Sequence, residues 1–386
     1  MTNSYNFGIQ RRALLRGAVV AVGAASLGAP SLLLAQSRQG EGAAPVHLTQ
    51  LLDMSPDQQQ LSRDYATGVR LAFFELKKAN QPTPQLVTVE TDGSAAQARA
   101  ALQAIQGDAS QVALMGTVGE SLTLATLQES ARAGLDIAHI APWLADPQLD
   151  RDPRLFALFA SREEQIRQVF KNMSVVGIGD VGLVYPSPRH AQELRPGMDA
   201  VAARLSMKTR NFIVPDGQDA ATFAAALPDS APAYLLFMGG SIELALFTQG
   251  LSRRGIQRYV LCLSDVDTNT FLQLNPGKAV PVIFTDVVPN PHSSKVPVVR
   301  AYRTALQKYF DEAPSPVSLA GYLAGRYAAS VLANVGPGPT RARVLAEFQR
   351  RRPLELDGWR LEFDASGRAS TFVTQTLLNS QGRFVG

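Results

Sequence analysis

Few residues of this 386-residue chain have the types and spacing that catalysis requires. A Gly-x-Gly-x-x-Gly spacing occurs at Gly177, Gly179 and Gly182, but an amphipathic helical stretch precedes it and the apolar run VGLVY follows it. A dinucleotide fingerprint needs the reverse order, with a strand before the glycines and a helix after them, so that the pyrophosphate meets the helix N-terminus. We therefore interpret these glycines as the end of a helix and a turn into a strand.

The sequence also lacks the motifs that a nucleophilic or a metal-dependent active site requires. Ser121 lies in the sequence GES and not in the Gly-x-Ser-x-Gly turn that exposes a nucleophile. His47 and His139 fall inside apolar strands, which favours core histidines with satisfied hydrogen bonds, and no histidine spacing matches a zinc site. Cys262 is the single cysteine, so no disulfide can form within the chain, and YVLCL favours a buried strand thiol. We predict no enzyme activity, no catalytic residues, no metal and no cofactor.

The residues that could bind a ligand lie in the stretch Gln111–Leu149. It reads as a strand at 112–115, a helix, and a second short strand at 137–141, with polar loops at 116–121 and 142–147. Two strands joined by a crossover helix form a parallel pair, and both loops then follow the carboxyl ends of neighbouring strands. Open α/β sheets bind their ligands at this edge.

The same order of elements recurs along the chain. A strand at 46–52 precedes a helix that Ser55, Pro56 and Gln58 could open, and after Pro153 the order starts over with the extended run LFALF. We predict an α/β fold of two doubly wound parallel-sheet lobes joined by a multi-strand hinge. Residues 46–157 plus 288–369 would form lobe I, and residues 158–287 plus 370–386 would form lobe II, with a ligand cleft between them.

The first 35 residues have the pattern of an export signal. Arg11, Arg12 and Arg16 precede a run rich in alanine, glycine, valine and leucine, and the paired arginines fit the twin-arginine type. We expect cleavage after Ala35 and a periplasmic protein; a retained membrane anchor is the alternative. The formal net charge of +4 falls to about +1 without these arginines, so no nucleic-acid partner is predicted.

Several segments together resemble the type I periplasmic binding proteins of the branched-chain amino acid (leucine/isoleucine/valine) family of ABC transporter solute receptors. They are GVRLAFFELKKAN at 68–80, VETDGSAAQARAALQ at 89–103, the stretch 111–149, FMGGSIELALFTQGLSRRGI at 237–256 and PVSLAGYLAGRYAASVL at 316–332. The resemblance implies a solute receptor whose partners are an amino acid or analogue and an ABC permease in the membrane. A ligand-sensing regulator of the same fold and an exported hydrolase are the alternatives.

The resemblance also implies seven ligand-binding positions. In the first lobe, Glu120 and Ser121 match a serine hydroxyl of the family, and Trp143 and Ala145 match a backbone amide and a threonine hydroxyl. The positions implied in the second lobe are His190 and Ser241, which match tyrosines, and Asp265, which matches the acid that binds the ammonium group. Glu120 would repel a ligand carboxylate unless it points to solvent, and Trp143 would reshape the pocket for a flatter or larger solute.

Overall fold

The first of the two main sheets contains only parallel strands. The computed structural model describes residues 46–274, 276–277 and 279–385. The elements of this part are His47–Asp53 (β1), Gln59–Lys78 (α1), Gln85–Thr91 (β2), Ala95–Gly107 (α2), Gln111–Met115 (β3), Glu120–Arg132 (α3), Ala138–Ile140 (β4) and Leu155–Phe156 (β5). The strand order is β2-β1-β3-β4-β5. Because the strands are parallel, their carboxyl ends lie at one edge.

The second sheet begins after a short crossing of the chain. Its elements are Arg162–Val175 (α4), Asp180–Tyr185 (β6), Pro188–Arg204 (α5), Lys208–Ile213 (β7), Ala220–Ala225 (α6), Tyr234–Phe237 (β8), Ser241–Ser252 (α7), Tyr259–Cys262 (β9), Thr268–Gln273 (α8) and Val282–Asp286 (β10). Strands β6 to β10 pair in parallel, as in the first sheet.

The last third of the chain first packs helices against the first sheet and then adds the final strands to the second sheet. Its elements are Pro297–Tyr309 (α9), Pro316–Leu332 (α10), Arg341–Gln349 (α11), Leu354–Leu356 (β11), Trp359–Leu361 (β12), Thr374–Leu378 (β13) and Phe384–Val385 (β14). The second sheet has the order β14-β13-β10-β9-β8-β6-β7, with β13 antiparallel to β10, while β11 and β12 form a separate ribbon. These two parallel-strand sheets confirm the predicted α/β class; the lobe boundaries stay a prediction.

Helices α1 and α10 pack unusually closely. A Cβ atom added at Gly68 would lie 1.9 Å from the carbonyl oxygen of Ser318, and one added at Gly321 would lie 2.1 Å from that of Tyr65. Only glycine permits this approach of two backbones. The contact joins a late helix to the first one and lies in the core cluster that also contains α9 and the first sheet.

Two sequence predictions about element boundaries are wrong. The restart was expected after Pro153, but Leu155 and Phe156 pair with His139 and Ile140, so this strand completes the first sheet. Ser55, Pro56 and Gln58 were predicted as residues that could begin the first helix early, but α1 begins at Gln59, and Ser55 N–H donates to the Asp53 carboxylate in a preceding turn. The glycine segment behaves as predicted, because Gly177 has a positive φ and follows α4 directly before β6.

The predicted export signal at residues 1–35 lies outside the described residues. Over the described part of the chain, no helix combines the length and apolar character needed to cross a membrane.

Candidate functional site

A cleft of about 520 Å³ lies at the carboxyl ends of strands from both sheets. From the first sheet it takes Asp53 at the end of β1 and the loops after β2, β3 and β4; from the second it takes the residues after β8 and β9 and the start of α5. The predicted site residues that line it are Glu120, Ser121, Trp143, His190 and Asp265. The structure thus brings together five of the seven predicted positions, which are far apart in the sequence.

The cleft lining contains an ion-pair group that sequence reasoning missed. Arg162, the first residue of α4, places Nη2 2.5 Å from Oε1 of Glu120 and 3.7 Å from Oδ2 of Asp265. The Arg162 side chain is 13% exposed, whereas those of Glu120 and Asp265 are 36% and 42% exposed. One guanidinium therefore pairs with carboxylates from the first and second sheets, and Glu120 does not stand unpaired in the cleft.

The ionisation of this group follows from burial and charge. Burial raises the pKa of Glu120, and the nearby Arg162 limits that rise. Burial alone would lower the pKa of Arg162, but Asp265 and Glu120 outweigh it and the pKa is raised. The arginine therefore stays charged, and it holds two partly exposed carboxylates in the cleft lining.

Ser121 and Trp143 contribute the polar and aromatic parts of the first-lobe lining. Ser121 is exposed at the start of α3, whose N-cap is Gly119 with a φ of 93°. Trp143 is only 6% exposed and packs against Tyr65 and Phe159, with ring centroids 6.0 and 5.5 Å away. The indole is therefore held rigidly by the core while one part of it faces the cleft.

His190 and Asp265 lie in the second-lobe part of the lining. His190 is in the first turn of α5, where its Nδ1 is 2.8 Å from the hydroxyl of Ser187, the N-cap residue. Helix α8 is capped by Asp267, whose carboxylate accepts from Thr270 N–H at 2.6 Å. Asp265 is thus not the capping residue, and its side chain is available to the cleft.

The structure does not place the two other predicted residues in the lining. Ala145 is 2% exposed, and its carbonyl accepts from the N–H of Arg162 at 2.8 Å. Ser241 is 8% exposed, and its hydroxyl accepts from the N–H of Asp267 at 2.8 Å. Ala145 instead holds the backbone of Arg162, which lines the cleft, and Ser241 holds that of Asp267, two residues after the lining residue Asp265.

Additional charged residues of the lining follow the strand-end rule that identified the Gln111–Leu149 stretch. Asp53 ends β1, and Asp92 directly follows β2, so the same rule applied to those strands would have found both. No local signal marks Arg162, because its partner Glu120 is 42 residues away. The remaining charged lining residues are Asp57, Arg189, Glu193 and Glu243.

A buried arginine fixes the loop that carries Trp143. Arg368 is 2% exposed, and its Nε lies 2.7 Å from Oδ2 of Asp150. Its Nη1 donates to the carbonyls of Leu144 at 3.0 Å and Phe159 at 2.8 Å, and its Nη2 donates to that of Asp146 at 3.0 Å. One side chain thus joins this loop to the crossing that leads into α4.

No group of three histidine, cysteine, aspartate or glutamate side chains is arranged to hold a metal ion in the described ranges 46–274, 276–277 and 279–385.

Comparisons with known proteins agree with this architecture. The sequence profile of a family described as periplasmic binding protein matches residues 45–371. A possible leucine/isoleucine/valine-binding protein from Rhodopirellula baltica superposes with a TM-score of 0.75 at 17% identity, covering 89% of this chain and 97% of that one. A leucine-binding protein from Thermotoga maritima gives 0.76 at 16% identity, with 88% and 97% covered.

The structural neighbours differ in what they are described as binding. A fatty acid ABC transporter substrate-binding protein from Thermomonospora curvata superposes with a TM-score of 0.71 at 14% identity, covering 88% of this chain and 90% of that one. No curated protein sequence matches the chain. The likeness to these structures shows the fold, while the ligand depends on the residues of the cleft itself.

Proposed function

We propose that this chain, which belongs to the periplasmic binding protein family, is an extracytoplasmic solute-binding receptor of an ABC importer. The observation that carries the proposal is the cleft of about 520 Å³ at the carboxyl ends of parallel strands in two sheets, lined from both of them. A receptor of this kind closes around its solute, and closure requires contacts from both sides because a ligand shifts an equilibrium only by its differential affinity.

The size and lining of the cleft support an amino acid or a related small polar solute. The volume falls in the range of small-molecule pockets, and the lining combines an indole with hydroxyl and carboxylate groups. Two of the superposed structures are described as binding branched-chain amino acids or leucine, which supports the same solute class for this chain. Glu120, Ser121, Trp143, His190 and Asp265 are the proposed ligand contacts.

Binding without chemical turnover is the role that the lining supports. Ser121 has no histidine or carboxylate hydrogen-bond partner among the described residues, and His190 is bonded to the capping Ser187. A nucleophile, its base and an oxyanion site would have to converge for hydrolysis. The proposed partner is an ABC permease, to which the closed receptor would deliver its solute after export directed by residues 1–35.

A thermal-shift screen over amino acids, amides and aromatic carboxylic acids tests the proposal. A solute that binds only the folded protein raises the melting temperature by mass action, so a binder at a hundred times its Kd stabilises the fold by about 2.7 kcal/mol. We expect at least one such solute to raise the melting temperature and to be recovered unchanged. Chemical conversion of the solute by the purified protein would contradict the receptor assignment.

A further inference from the structure

Acidic groups outnumber basic groups in the cleft. Its described lining contains two arginines, Arg162 and Arg189, and no lysine. The carboxylates of the same lining are Asp53, Asp57, Asp92, Glu120, Glu193, Glu243 and Asp265. The formal charge of the lining is therefore strongly negative, although the whole chain is formally +4.

Both arginines already have carboxylate partners. Arg162 pairs with Glu120 and Asp265, and Arg189 pairs with Glu193 at 2.9 Å. The other four carboxylates, those of Asp53, Asp57, Asp92 and Glu243, form no ion pair with any described residue of the chain. A ligand carboxylate would thus find no cation in this lining that is free of a partner, whereas a ligand cation would find four unmatched anions.

Helix dipoles reduce the excess of negative charge but do not remove it. The N-terminal residues or N-caps of α1, α3, α4, α5 and α7 border the cleft, and each N-terminus carries about half a positive charge. The seven carboxylates and two arginines of the lining give a net formal charge of −5, and the five helix N-termini together offset about half of it. The remaining potential attracts cations, and the walls of a cleft concentrate it.

One of the unmatched carboxylates, and a single oxygen of a second, are already withdrawn from water. Asp53 is 5% exposed, and one of its oxygens accepts from Ser55 N–H at 2.9 Å. The Oε2 atom of Glu243 is buried and has no hydrogen-bond partner among the described residues. Buried carboxylate oxygens are costly unless they are paired, and this one belongs to the cleft lining, which indicates a partner brought by the ligand.

The unmatched groups divide into a set of three on the first-sheet side of the cleft and a set of one on the second-sheet side. Asp53, Asp57 and Asp92 surround the ends of β1 and β2 in the first sheet, and Glu243 lies in the first turn of α7, after β8 of the second. Closure would bring these two acidic sets toward each other, so closure is favoured only if a bound positive charge offsets their repulsion.

We infer that the solute of this cleft is an organic dication, of the class of linear diamines, with one amine at the first-sheet carboxylates and the other at the second-sheet carboxylates. This inference rests on the proposed receptor function and names its solute class. A free α-carboxylate is not part of the preferred ligand, because Arg162 is already neutralised. The two ends of one dication would couple ligand binding to closure, since each end touches a different sheet.

Isothermal titration calorimetry with 1,5-diaminopentane, L-lysine and L-leucine tests the inference. We expect the diamine to bind most tightly and its affinity to fall as salt is added, because exposed charges are screened. Asp53→Asn keeps the acceptor for Ser55 N–H and should weaken diamine binding about tenfold or more, the loss typical of a charged hydrogen bond. Asp311→Asn, at an exposed aspartate outside the cleft, is the matched control and should bind as the parent does.

The outcomes separate this inference from the proposed function. Binding of leucine without binding of the diamine would overturn the dication assignment and leave the receptor function intact. Binding of lysine but not of the diamine would also overturn it, since a carboxylate would then be required. If the Asp53→Asn and Asp311→Asn variants, both folded by circular dichroism, bind the diamine equally, the assignment of Asp53 is wrong. If no solute of any class binds, both the inference and the receptor proposal fail.

Discussion

Arg162 and Glu120 form the shortest ion pair among the described residues of the cleft, with Nη2 2.5 Å from Oε1. Glu120 is the first residue of α3 and Arg162 is the first residue of α4, so the pair connects the N-termini of these two helices. The same guanidinium is 3.7 Å from Asp265. A single buried arginine thus prevents two carboxylates from repelling each other, and its position decides which acids remain available to a ligand.

Replacement of Arg162 should therefore destabilise the protein through the carboxylates that it leaves behind. We expect Arg162→Met to cost about 2 kcal/mol of unfolding free energy, less than a fully buried pair because Glu120 is 36% exposed. Urea denaturation measures the loss. The double variant Arg162→Met/Glu120→Gln should recover part of it, and strict additivity of the two single changes would contradict the pairing.

Asp265 and Asp267 should have separable roles. Asp265→Ala should abolish calorimetric binding while the melting temperature of the unliganded protein stays nearly unchanged, because Asp265 caps no helix. Asp267→Ala removes the cap of α8 and should cost about 1 kcal/mol of stability. Unaltered affinity in the Asp265→Ala variant would exclude it as a ligand contact.

Trp143 should report ligand binding by its fluorescence. Its ring packs against Tyr65 and Phe159 and also borders the cleft, so a bound solute changes its environment. Trp359 is the other tryptophan and is first replaced by phenylalanine to leave one emitter. We expect saturating solute to shift or quench the remaining emission, and an unchanged spectrum under calorimetrically verified saturation would place Trp143 outside the ligand contacts.

The Arg368–Asp150 pair should be more costly to disturb than the partly exposed Arg162–Glu120 pair. Both side chains are almost completely buried, and the planar guanidinium also donates to three carbonyl groups. Lysine keeps the charge but cannot reproduce the planar set of N–H donors of the guanidinium. We therefore expect Arg368→Lys to lower the free energy of unfolding, measured by urea denaturation, by about 3 kcal/mol. Arg383→Lys, at an exposed arginine, is the control and should change stability by less than about 0.5 kcal/mol.

His139 should make the fold sensitive to acid. Burial, with a smaller effect of Arg154, lowers the pKa of His139 to about 3, from an ordinary value of 6.5. The unfolded chain therefore binds a proton that the folded chain does not, so this contribution to stability is present above pH 6.5 and is lost as the pH falls toward 3. Between pH 7.5 and 5.5 the loss should be about 1.4 kcal/mol.

The variant His139→Leu isolates that contribution. Its unfolding free energy should fall less over the same pH interval than that of the parent, by the amount that His139 contributes. Equal pH dependence of the two proteins, measured by urea denaturation at both pH values, would show that His139 accepts its proton in the folded state.

His139 also shows how far local sequence patterns extend. Its place in an apolar run predicted a buried strand histidine, and it is 2% exposed in β4. The expectation of satisfied hydrogen bonds is not met in full, since Nδ1 has no partner among the described residues and the contact of Nε2 to Ser130 is 3.5 Å. The apolar periodicity of a strand predicts that its histidine is buried. It does not predict the hydrogen-bond partner, which for His139 is Ser130 of the neighbouring helix α3.

The sequence by itself determined the alternation of strands and helices, because apolar periodicity and capping residues act over a few neighbouring positions. It also determined that polar groups follow the ends of parallel strands, which located Ser121 and Trp143 at the cleft. The tertiary structure alone decided that Leu155–Phe156 pairs with β4 and that Ala145 and Ser241 lie outside the lining.

The charge pattern of the site was likewise a tertiary outcome. Arg162 meets Glu120 across 42 residues and Asp265 across the gap between two sheets, and Arg368 meets Asp150 across 218 residues. Pairing at such separations depends on which strand ends and which connecting segments lie close together in the folded chain. The spacing of residues within a short stretch of sequence does not contain that information. The neutralised acids and the unmatched acids therefore look alike in the sequence and differ only in the folded chain.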